Sequence, residues 1–499
     1  MSKNDTTKNA PQGSFTERLK NGQTYQWFWF SVWTLLTIAF SVWAGNLWIV
    51  LLTPLFFDVY ITKYVPWGFW KKSKNKAFRK TMEWVDAILF ALVAVYFINT
   101  FFFQNYQIPT SSLEKSLLVG DYLAVSKLSY GPRAPMTPLS FPLAQHTMPI
   151  IGGKSYIDKP QWKYKRLKGW GEVKRNDIVV FNFPAQDTVA LNMQGVDFYT
   201  LAKYNTNGSA GIRADKRTYG DVVYRPVDRR ENYVKRCIGL PGETLEIRDD
   251  NVYIDGTHIP NPELSQLTYT IHTDGTVMND EFFRELGVSR EDLYGQNSYG
   301  QTTMKLQDLA NVDSLTMVSA GLNPRNGNNG KVYFDIPMTQ KMVAELEKKP
   351  FIWNIIKDIE HPGMSYYYPI DYNSNWTRAD YGPLWIPQKG ATIHFDDNID
   401  FKVAAYERCI KNYEGNDFEY HNGTVFINGQ PADSYTFKMD YYFMMGDNRH
   451  NSADSRAWGF VPEDHIVGSP MLIWLSLDKD RNWFNGKIRF KRLFTSAKK

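Results

Sequence analysis

The sequence predicts N-terminal transmembrane helices followed by a mainly antiparallel β domain that carries an inserted α+β cap region. Two long apolar runs lie within the first 103 residues of the 499-residue chain. After Phe103, short β-branched and aromatic runs alternate with Gly, Pro, Asn and Asp, which is typical of strands and tight turns. Aromatic residues make up 15% of the chain, and such rings are enriched where a membrane meets water.

The composition excludes several classes of function. A net charge of +5 is too small a basic excess to indicate nucleic-acid binding. The two cysteines have no CxxC spacing and the eight histidines form no HExxH motif, so we expect no metal and no cofactor. For Cys237 and Cys409 the sequence allows either one disulfide or two buried free thiols.

The first apolar run extends from Trp27 to Phe57 and contains no charged residue. A membrane span needs about 20 residues, so this run is too long for one upright helix and short for two. It forms either a hairpin that turns at Ala44-Gly45-Asn46 or one tilted helix that continues into an interfacial segment. We favour the hairpin, over residues 27–62, after a polar tail at residues 1–26.

The second apolar run, residues 84–103, predicts one transmembrane helix. A buried core helix is the alternative, but it leaves the neighbouring basic loop without a role. That loop, residues 63–83, carries six basic residues and no acid between Lys71 and Lys80. Short basic loops stay in the cytoplasm, so everything from Gln104 onward is expected outside. The lipid bilayer is therefore an expected partner.

The part of the chain from Gln104 onward is predicted to be a β domain, interrupted by a segment whose structure the sequence predicts less clearly. Strands are predicted at 121–128, 177–183, 244–256, 424–430 and 471–477, with Asn-Gly or Asp-Gly signals for tight hairpins. Only residues 338–360 resemble a substantial helix. We expect a core built from residues 104–255 and 386–478, a cap or satellite region at 256–385, and a basic tail at 479–499.

A weak internal sequence repeat links the two segments that contain the cysteines. Aligning their Arg-Cys-Ile triplets places Cys237 opposite Cys409 and Lys235 opposite Glu407. Duplicated strand pairs explain this match, and chance similarity between two hairpins explains it equally simply.

Three segments carry groups suited to catalysis. Ser111 and Ser112 follow the last span within a few residues, although Ser111-x-x-Glu114 also fits a capping box. Strand alternation from Tyr233 places Lys235 toward the interior, where burial lowers the pKa of a lysine. A decrease of about 2–3 from the usual pKa, or roughly 3–4 kcal/mol, produces an appreciable fraction of neutral base.

The third segment, residues 446–459, is dense in Gly, Asn, Asp and Ser and predicts a rigid loop between two strands. Together the segments IPTSSLEKSLLVGDYLAVSKLSYG, RNDIVVFNFP, YVKRCIGLPGE and YFMMGDNRHNSADSRAWGFVPEDHIVG resemble the successive sequence boxes of type I signal peptidases (leader peptidases). The large insertion resembles the Bacteroidetes-type long form of that family. The resemblance implies a membrane-bound serine endopeptidase with a signal peptidase I-like β fold.

The resemblance also implies a substrate and a location. Such enzymes cleave signal peptides from exported pre-proteins after small residues at −3 and −1, through an acyl-enzyme. The expected location is the inner (cytoplasmic) membrane, with the catalytic domain on the periplasmic face. The 256–385 region is expected to contact the mature part of substrates, the protein export machinery or the bilayer.

Residue by residue, the resemblance implies that Ser112 is the nucleophile and Lys235 its general base. Thr110 adds a hydroxyl to the oxyanion hole beside the Ser112 N–H. Ser452 orients the lysine, and the loop is supported by Gly446, Asp447, Asp454 and Arg456. The substrate pocket is expected to contain Tyr106, Ile108, Pro109, Leu117, Tyr233 and Val234.

Two departures from the family pattern leave alternatives open. The proline that commonly follows the nucleophile is absent from Ser112-Leu113-Glu114-Lys115-Ser116-Leu117, and the adjacent Ser111 allows a shift of the nucleophile by one residue. His450 stands where the family often has Asp. A Ser/His/Asp hydrolase that uses His450, or an inactive homologue that acts as a membrane-tethered binding module, are the competing functions.

Overall fold

The structure is a computed structural model. It describes residues 16, 19, 23–150, 152–296, 302–308, 311–312, 330–363, 365, 367–370, 372 and 375–498. The predicted polar tail lies almost entirely outside this set, as do parts of the 256–385 region.

The N-terminal apolar run forms a long helix followed by a shorter return segment. Helix α1 spans Thr24–Ala44 and ends at Gly45, which has a φ of 56°. The return segment contains a 3-10 helix at Leu47–Leu52, α2 at Thr53–Phe57 and a π-helical turn at Asp58–Thr62. Trp27 contacts Phe57, and Trp33 stacks on Phe56 with ring centroids 5.5 Å apart. The return segment therefore packs antiparallel to α1.

The next helix, α3, spans Lys76–Phe101 and starts eight residues before the predicted position. Its start is set by Asn75, whose side chain accepts hydrogen bonds from the Ala77 and Phe78 N–H groups. Phe103 already belongs to the first strand. By length and composition, α1 and α3 are each able to cross a membrane.

The rest of the described chain is mostly β structure with short helices. The strands are β1 Phe103–Gln107, β2 Asp121–Ser126, β3 Ile178–Asn182, β4 Thr188–Ala190, β5 Val222–Tyr224, β6 Asn232–Gly239, β7 Thr244–Arg248, β8 Asn251–Ile254, β9 Thr257–Ile259, β10 Leu267–Thr273, β11 Tyr294–Gln296, β12 Thr302–Met304, β13 Leu306–Asp308, β14 Lys331–Met338, β15 Ile352–Lys357, β16 Tyr381–Trp385, β17 Thr392–His394, β18 Phe418–His421, β19 Thr424–Ile427, β20 Gln430–Pro431, β21 Ser434–Thr436, β22 Tyr441–Met445, β23 Val461–Pro462, β24 Ile466–Ser476 and β25 Thr495–Ser496. The further α-helices are α4 Phe198–Tyr204, α5 Gly208–Ala214, α6 Lys216–Tyr219, α7 Asp280–Leu286, α8 Arg290–Leu293, α9 Gln340–Leu346, α10 Ile399–Arg408 and α11 Ser455–Trp458.

One large sheet dominates the β domain. Its strand order is β1-β2-β24-β3-β6-β22-β23, with β25 added beside β24, and all of these pairings are antiparallel. The order β16-β7-β8-β9 forms a second sheet, and β13-β14-β10-β15 forms a third. The predicted N-terminal apolar helices and mainly antiparallel β domain are thus confirmed.

The third sheet and its helices have a hydrophobic cluster of their own. Ile271, Phe283, Tyr333 and Met338 are fully buried in it. This cluster does not extend to the predicted boundaries at residues 256 and 385. Strands β9 and β16, which lie just inside those boundaries on either side of the cluster, both belong to the second sheet.

One sequence prediction is wrong in this region. Residues 338–360 do not form one helix: α9 ends at Leu346, and Ile352–Lys357 is strand β15, paired with β10. Pro350 disfavours a helical residue before it, and the β-branched residues that follow suit a strand.

The internal sequence repeat around Cys237 and Cys409 does not reflect duplicated strand pairs. Cys237 lies in β6, whereas Glu407 is in α10 and Cys409 follows it in a π-helical turn. Both thiols are free and buried. The two hairpins that follow are nevertheless similar, with turns at Asp249-Asp250 and Asn422-Gly423 whose φ values are all positive.

Candidate active site

The serine cluster lies directly after the edge strand β1. Residues Ser111–Leu113 form one 3-10 turn, and Ser112 is 8% exposed. The predicted Ser111–Glu114 capping box does not form, because Thr110 is the N-cap residue and makes no side-chain cap. Thr110 and Pro109 are exposed, whereas Leu113 is buried beneath the turn.

The lysine reaches this turn from the centre of the large sheet. Lys235 lies in β6 between β3 and β22 and is 5% exposed. Its Nζ donates a 2.6 Å hydrogen bond to Ser112 Oγ. The Ser111 hydroxyl instead accepts a long bond of 3.5 Å from the Asn451 amide. Of the two adjacent serines, Ser112 therefore contacts the lysine.

The surroundings of Lys235 favour its neutral form. Burial lowers the pKa of Lys235 from its ordinary value near 10.5 to about 8. The nearby carboxylates of Asp454 and Asp447 act in the opposite direction, and the Arg456 guanidinium lowers the pKa further. An amine with a pKa near 8 is an effective proton acceptor close to neutral pH.

The loop after β22 is fixed by two buried ion pairs. Arg236 donates to both carboxylate oxygens of Asp447, at 2.7 and 2.6 Å. Arg456 likewise donates to both oxygens of Asp454, at 3.0 and 2.8 Å, and the Gly446 N–H binds the same carboxylate. Burial raises the pKa of Asp454, but the charge of Arg456 together with the hydrogen bonds from Arg456 and the Gly446 N–H holds the pKa below the ordinary value.

This loop touches the serine turn at its backbone. The Asn448 N–H donates to the Ser112 carbonyl at 3.1 Å. A Cβ on Gly446 would lie 2.6 Å from that carbonyl oxygen and 2.3 Å from Ser452 Oγ, so only glycine fits there. The Ser452 hydroxyl is buried and has no hydrogen-bond partner among the described residues, so it lies beside the serine turn without bonding to Lys235.

The six predicted pocket residues divide between two places. Ile108 and Leu117 are buried in one hydrophobic cluster, and Tyr106 and Val234 pack against it. Tyr233 lies in a different cluster, where its ring stacks on Phe183 at 4.3 Å, because alternate residues of β6 face opposite sides of the sheet.

The missing proline has a structural counterpart. Lys115, at the position where the family has Pro, adopts a φ of 75°, which proline cannot reach. Its side chain donates a hydrogen bond to the Gly287 carbonyl in the 256–385 region. The departure in sequence therefore coincides with a contact between the serine turn and that region.

His450 makes a second such contact. Its Nδ1 lies 2.9 Å from Thr268 Oγ1 and its Nε2 lies 2.8 Å from Asp250 Oδ1. The Gln266 N–H also donates to the Asp447 carbonyl at 2.8 Å. Both ring nitrogens of His450 are therefore occupied away from Ser112, which removes the geometric basis for a Ser/His/Asp triad.

Comparison with known proteins decides the family. The family described as "Signal peptidase, peptidase S26" matches residues 81–313 and 432–475, which include the serine turn, Lys235 and the loop at Gly446. The chain belongs to this family. The predicted resemblance to type I signal peptidases is thus confirmed, and the protein is a peptidase.

Three individual relatives of this S26 peptidase share modest identity with it, two of them over most of its length. Signal peptidase I of Buchnera aphidicola subsp. Acyrthosiphon pisum (strain APS) is 23% identical over 425 residues, which cover 85% of this chain and 83% of the relative. Signal peptidase I of Haemophilus influenzae (strain ATCC 51907 / DSM 11121 / KW20 / Rd) is 22% identical over 433 residues, covering 86% and 79%. That of Bacillus licheniformis is 24% identical over 212 residues, covering 42% and 70%.

Sequence reasoning missed two functional neighbours in this family member, Arg236 and Ser116. Arg236 pairs with Asp447, and the Ser116 hydroxyl donates to the same carboxylate at 2.5 Å. The signal was present, because an arginine in the middle of a buried strand needs an acidic partner. No group of His, Cys, Asp and Glu side chains within the described part of the chain is arranged to hold a metal ion.

Proposed function

We propose that this S26 peptidase is a membrane-bound signal peptidase I, which removes signal peptides from exported pre-proteins with Ser112 as nucleophile and Lys235 as general base. The 2.6 Å hydrogen bond between Lys235 Nζ and Ser112 Oγ carries the proposal. A serine hydroxyl is a weak nucleophile until a base removes its proton, and a serine–lysine pair is a known solution.

The chemistry proceeds in two steps. Neutral Lys235 takes the Ser112 proton while Oγ attacks the scissile carbonyl, and the resulting ammonium then protonates the leaving amine. The signal peptide remains bound to Ser112 as an ester. Lys235, neutral again, takes a proton from water while the water oxygen attacks the ester. The bond from the carbonyl carbon to Ser112 Oγ then breaks, Lys235 returns the proton to Oγ, and the signal peptide leaves as a carboxylic acid.

The neighbouring residues supply orientation and charge stabilisation. The Ser112 N–H and the Thr110 hydroxyl donate to the oxyanion that forms during attack. Ser452 orients Lys235 once substrate excludes water, since its buried hydroxyl is available for a new hydrogen bond. Loop support comes from Gly446, Asp447, Asp454 and Arg456, which hold the loop through the contacts described above.

A shallow pocket sets specificity for small side chains at −1 and −3. Tyr106, Ile108, Leu117 and Val234 share one hydrophobic cluster beside Ser112. Pro109 is exposed next to this cluster, whereas Tyr233 lies on the other side of β6, where its ring centroid is 5.7 Å from Lys235 Nζ. Because the cluster is already filled by these side chains, a large substrate side chain has to displace them, which tightly packed cores resist.

The membrane topology follows from the helices and the basic loop. Helix α1 and the segment 47–62 form a helical hairpin, α3 crosses the inner membrane once, and the Lys71–Lys80 loop is cytoplasmic. The catalytic domain, formed by residues 104–255 and 386–478, then lies on the periplasmic face. A direct contact supports this side for the hairpin turn, since Lys165 Nζ donates to the Ala44 carbonyl at 2.8 Å.

The region around the third sheet acts as a cap for the mature part of the substrate or for the export machinery. Lys115, Asp447 and His450 each contact it, so it is anchored both to the serine turn and to the loop after β22 that touches this turn. A Lys115→Ala/Thr268→Val variant that retains its full range of pre-protein substrates would argue against this role.

Replacing each serine in turn tests the catalytic assignment. Ser112→Ala should abolish cleavage of a pre-protein by the full-length enzyme in detergent, whereas the matched Ser111→Ala should retain it within a few-fold. Circular dichroism and thermal unfolding verify that both variants fold. Cleavage retained by a folded Ser112→Ala variant and lost in Ser111→Ala would refute the assignment.

A further inference from the structure

A second functional site is indicated by a cavity of about 660 Å³ between α3 and the β domain. It is lined by Tyr96, Asn99 and Thr100 of the last turns of the helix, and by Asn105 of β1. Lys127 lies at the same place, because its backbone N–H donates to the Phe102 carbonyl at 2.9 Å, just beyond the end of α3. The cavity is therefore located where a membrane helix meets the external domain.

Three cations line this cavity, together with a single carboxylate. The cations are Lys127, Arg133 and Arg229, and the carboxylate is Asp228. Asp228 is already engaged, since Thr137 donates to it from its hydroxyl at 2.7 Å and from its N–H at 2.8 Å. One acid that is held elsewhere does not neutralise three cations.

The donors of these cations are incompletely used. Within the described residues, the Lys127 ammonium has no hydrogen bond or ion pair, and the buried Arg229 Nε has no partner. Arg229 is 12% exposed and its Nη2 lies 3.8 Å from Asp228, beyond hydrogen-bond distance. Arg133 donates to Asn182 Oδ1 at 2.6 Å and to the Asp464 carbonyl, two neutral acceptors, and the carboxylates of Asp228 and Asp464 offset its charge only in part.

This arrangement penalises the positive charge of Lys127 as long as no anion is present. Burial, with the charges of Arg133 and Arg229, lowers the pKa of Lys127 to about 7. Partly buried cations with few partners are unfavourable, and charge-assisted hydrogen bonds to an anion relieve the penalty. A tetrahedral phosphate accepts from several such donors at once.

The position of the cavity favours a phosphate carried by a lipid. Phe141 and Leu143 also line it and are 46% and 75% exposed, so an apolar edge adjoins the cationic interior. A phospholipid presents this combination of an anionic headgroup above apolar chains, at the depth where a transmembrane helix ends. We propose that the cavity binds the phosphate group of an anionic phospholipid, at a site that adjoins the substrate pocket at Tyr106 but contains neither Ser112 nor Lys235.

Native mass spectrometry of the full-length protein in detergent, titrated with phosphatidylglycerol, tests this proposal. The wild type should retain one phosphatidylglycerol molecule tightly, and Lys127→Gln/Arg229→Gln should weaken that binding roughly tenfold or more, because two charged donors are lost. The matched control, Lys163→Gln/Lys168→Gln, removes the same charge from two exposed lysines of the domain and should bind lipid like the wild type.

Three outcomes would overturn the proposal. Equal phosphatidylglycerol binding by the cavity variant and the wild type would show that the cavity is not the lipid site. Thermal stabilisation of the wild type by inorganic phosphate as strong as that by phosphatidylglycerol would indicate a soluble anion as the ligand. An increased KM for a pre-protein in lipid-free detergent, with unchanged lipid binding, would identify the signal peptide as the occupant, since β1 also lines the cavity.

Discussion

Two lysines in the interior of the β domain face different groups: Lys235 in β6 is 5% exposed, and Lys127, directly after β2, is half-buried. Lys235 touches a serine hydroxyl, and the carboxylates of Asp447 and Asp454 lie near it. Lys127 faces two arginines, and its ammonium group makes no polar contact among the described residues. Burial lowers the pKa of both lysines. The comparison supports the two proposals: a lysine beside a hydroxyl is suited to act as a base, and a lysine beside other cations is suited to bind an anion.

The largest expected effect is on the free energy of unfolding, and it distinguishes the surroundings of Lys235 from those of Lys127. Asp447→Ala leaves the buried Arg236 without its partner and should lower the free energy of unfolding by about 3–5 kcal/mol. Asp221→Ala is the matched control, because its pair with Lys216 is 67–73% exposed and contributes about 0–1 kcal/mol. Lys127→Gln should leave stability unchanged or increase it, since no pair is broken.

Denaturant unfolding in detergent measures all three variants. Equal decreases in the free energy of unfolding for Asp447→Ala and Asp221→Ala would contradict the stabilising role of the buried Arg236–Asp447 pair. A large loss for Lys127→Gln would mean that Lys127 has a structural partner, and the contrast between the two lysines would fail.

The next effect concerns the geometry of the catalytic pair. Gly446→Ala places a Cβ 2.6 Å from the Ser112 carbonyl oxygen, so the serine turn has to shift away from Lys235. A shift of about 1 Å lowers turnover roughly 100-fold. Gly171→Ala, where the nearest atom is 3.8 Å away, is the control and should be as active as the wild type. Steady-state cleavage assays would contradict this account if both variants had the same kcat.

The smallest effect is a dependence on pH that separates the two lysines. Lys235 acts as a base only when neutral, so cleavage should increase with pH and reach half its maximum near the pKa of about 8. The increase between pH 7 and pH 9 should be about tenfold. Lys127→Gln should leave the midpoint unchanged. A flat profile, or a midpoint that moves in Lys127→Gln, would show that Lys235 does not control the rate.

Much of the fold was predictable because its signals are local. Apolar length predicted the long N-terminal helices, and the Asp-Gly and Asn-Gly signals predicted the hairpin turns at Asp255-Gly256 and Asn422-Gly423. The prediction of one helix over residues 338–360 was wrong because the apolar spacing there suits a helix or a strand. Pairing with β10 makes Ile352–Lys357 a strand. That pairing joins residues about 80 positions apart, which no local pattern reveals.

The site was predictable only in part. The resemblance proposed Ser112 and Lys235 together, although 123 residues separate them. It did not predict that Tyr233 packs away from the other pocket residues, or that His450 bonds to Thr268. These contacts depend on how the sheets are arranged relative to each other, and the insertion that supplies Thr268 has no counterpart in the short sequence boxes.

The most direct test of the central claim is single-turnover cleavage of a pre-protein by Lys235→Met at pH 7. Methionine preserves apolar volume but cannot accept a proton. We expect the rate to fall by a factor of about 100 to 10,000, the contribution of a general base.

The fold should persist and Tm should be unchanged or higher. The reason is that a lysine with a folded pKa below its ordinary value destabilises the protein at pH values below that folded pKa. Cleavage by a folded Lys235→Met variant at a rate close to that of the wild type would contradict the account.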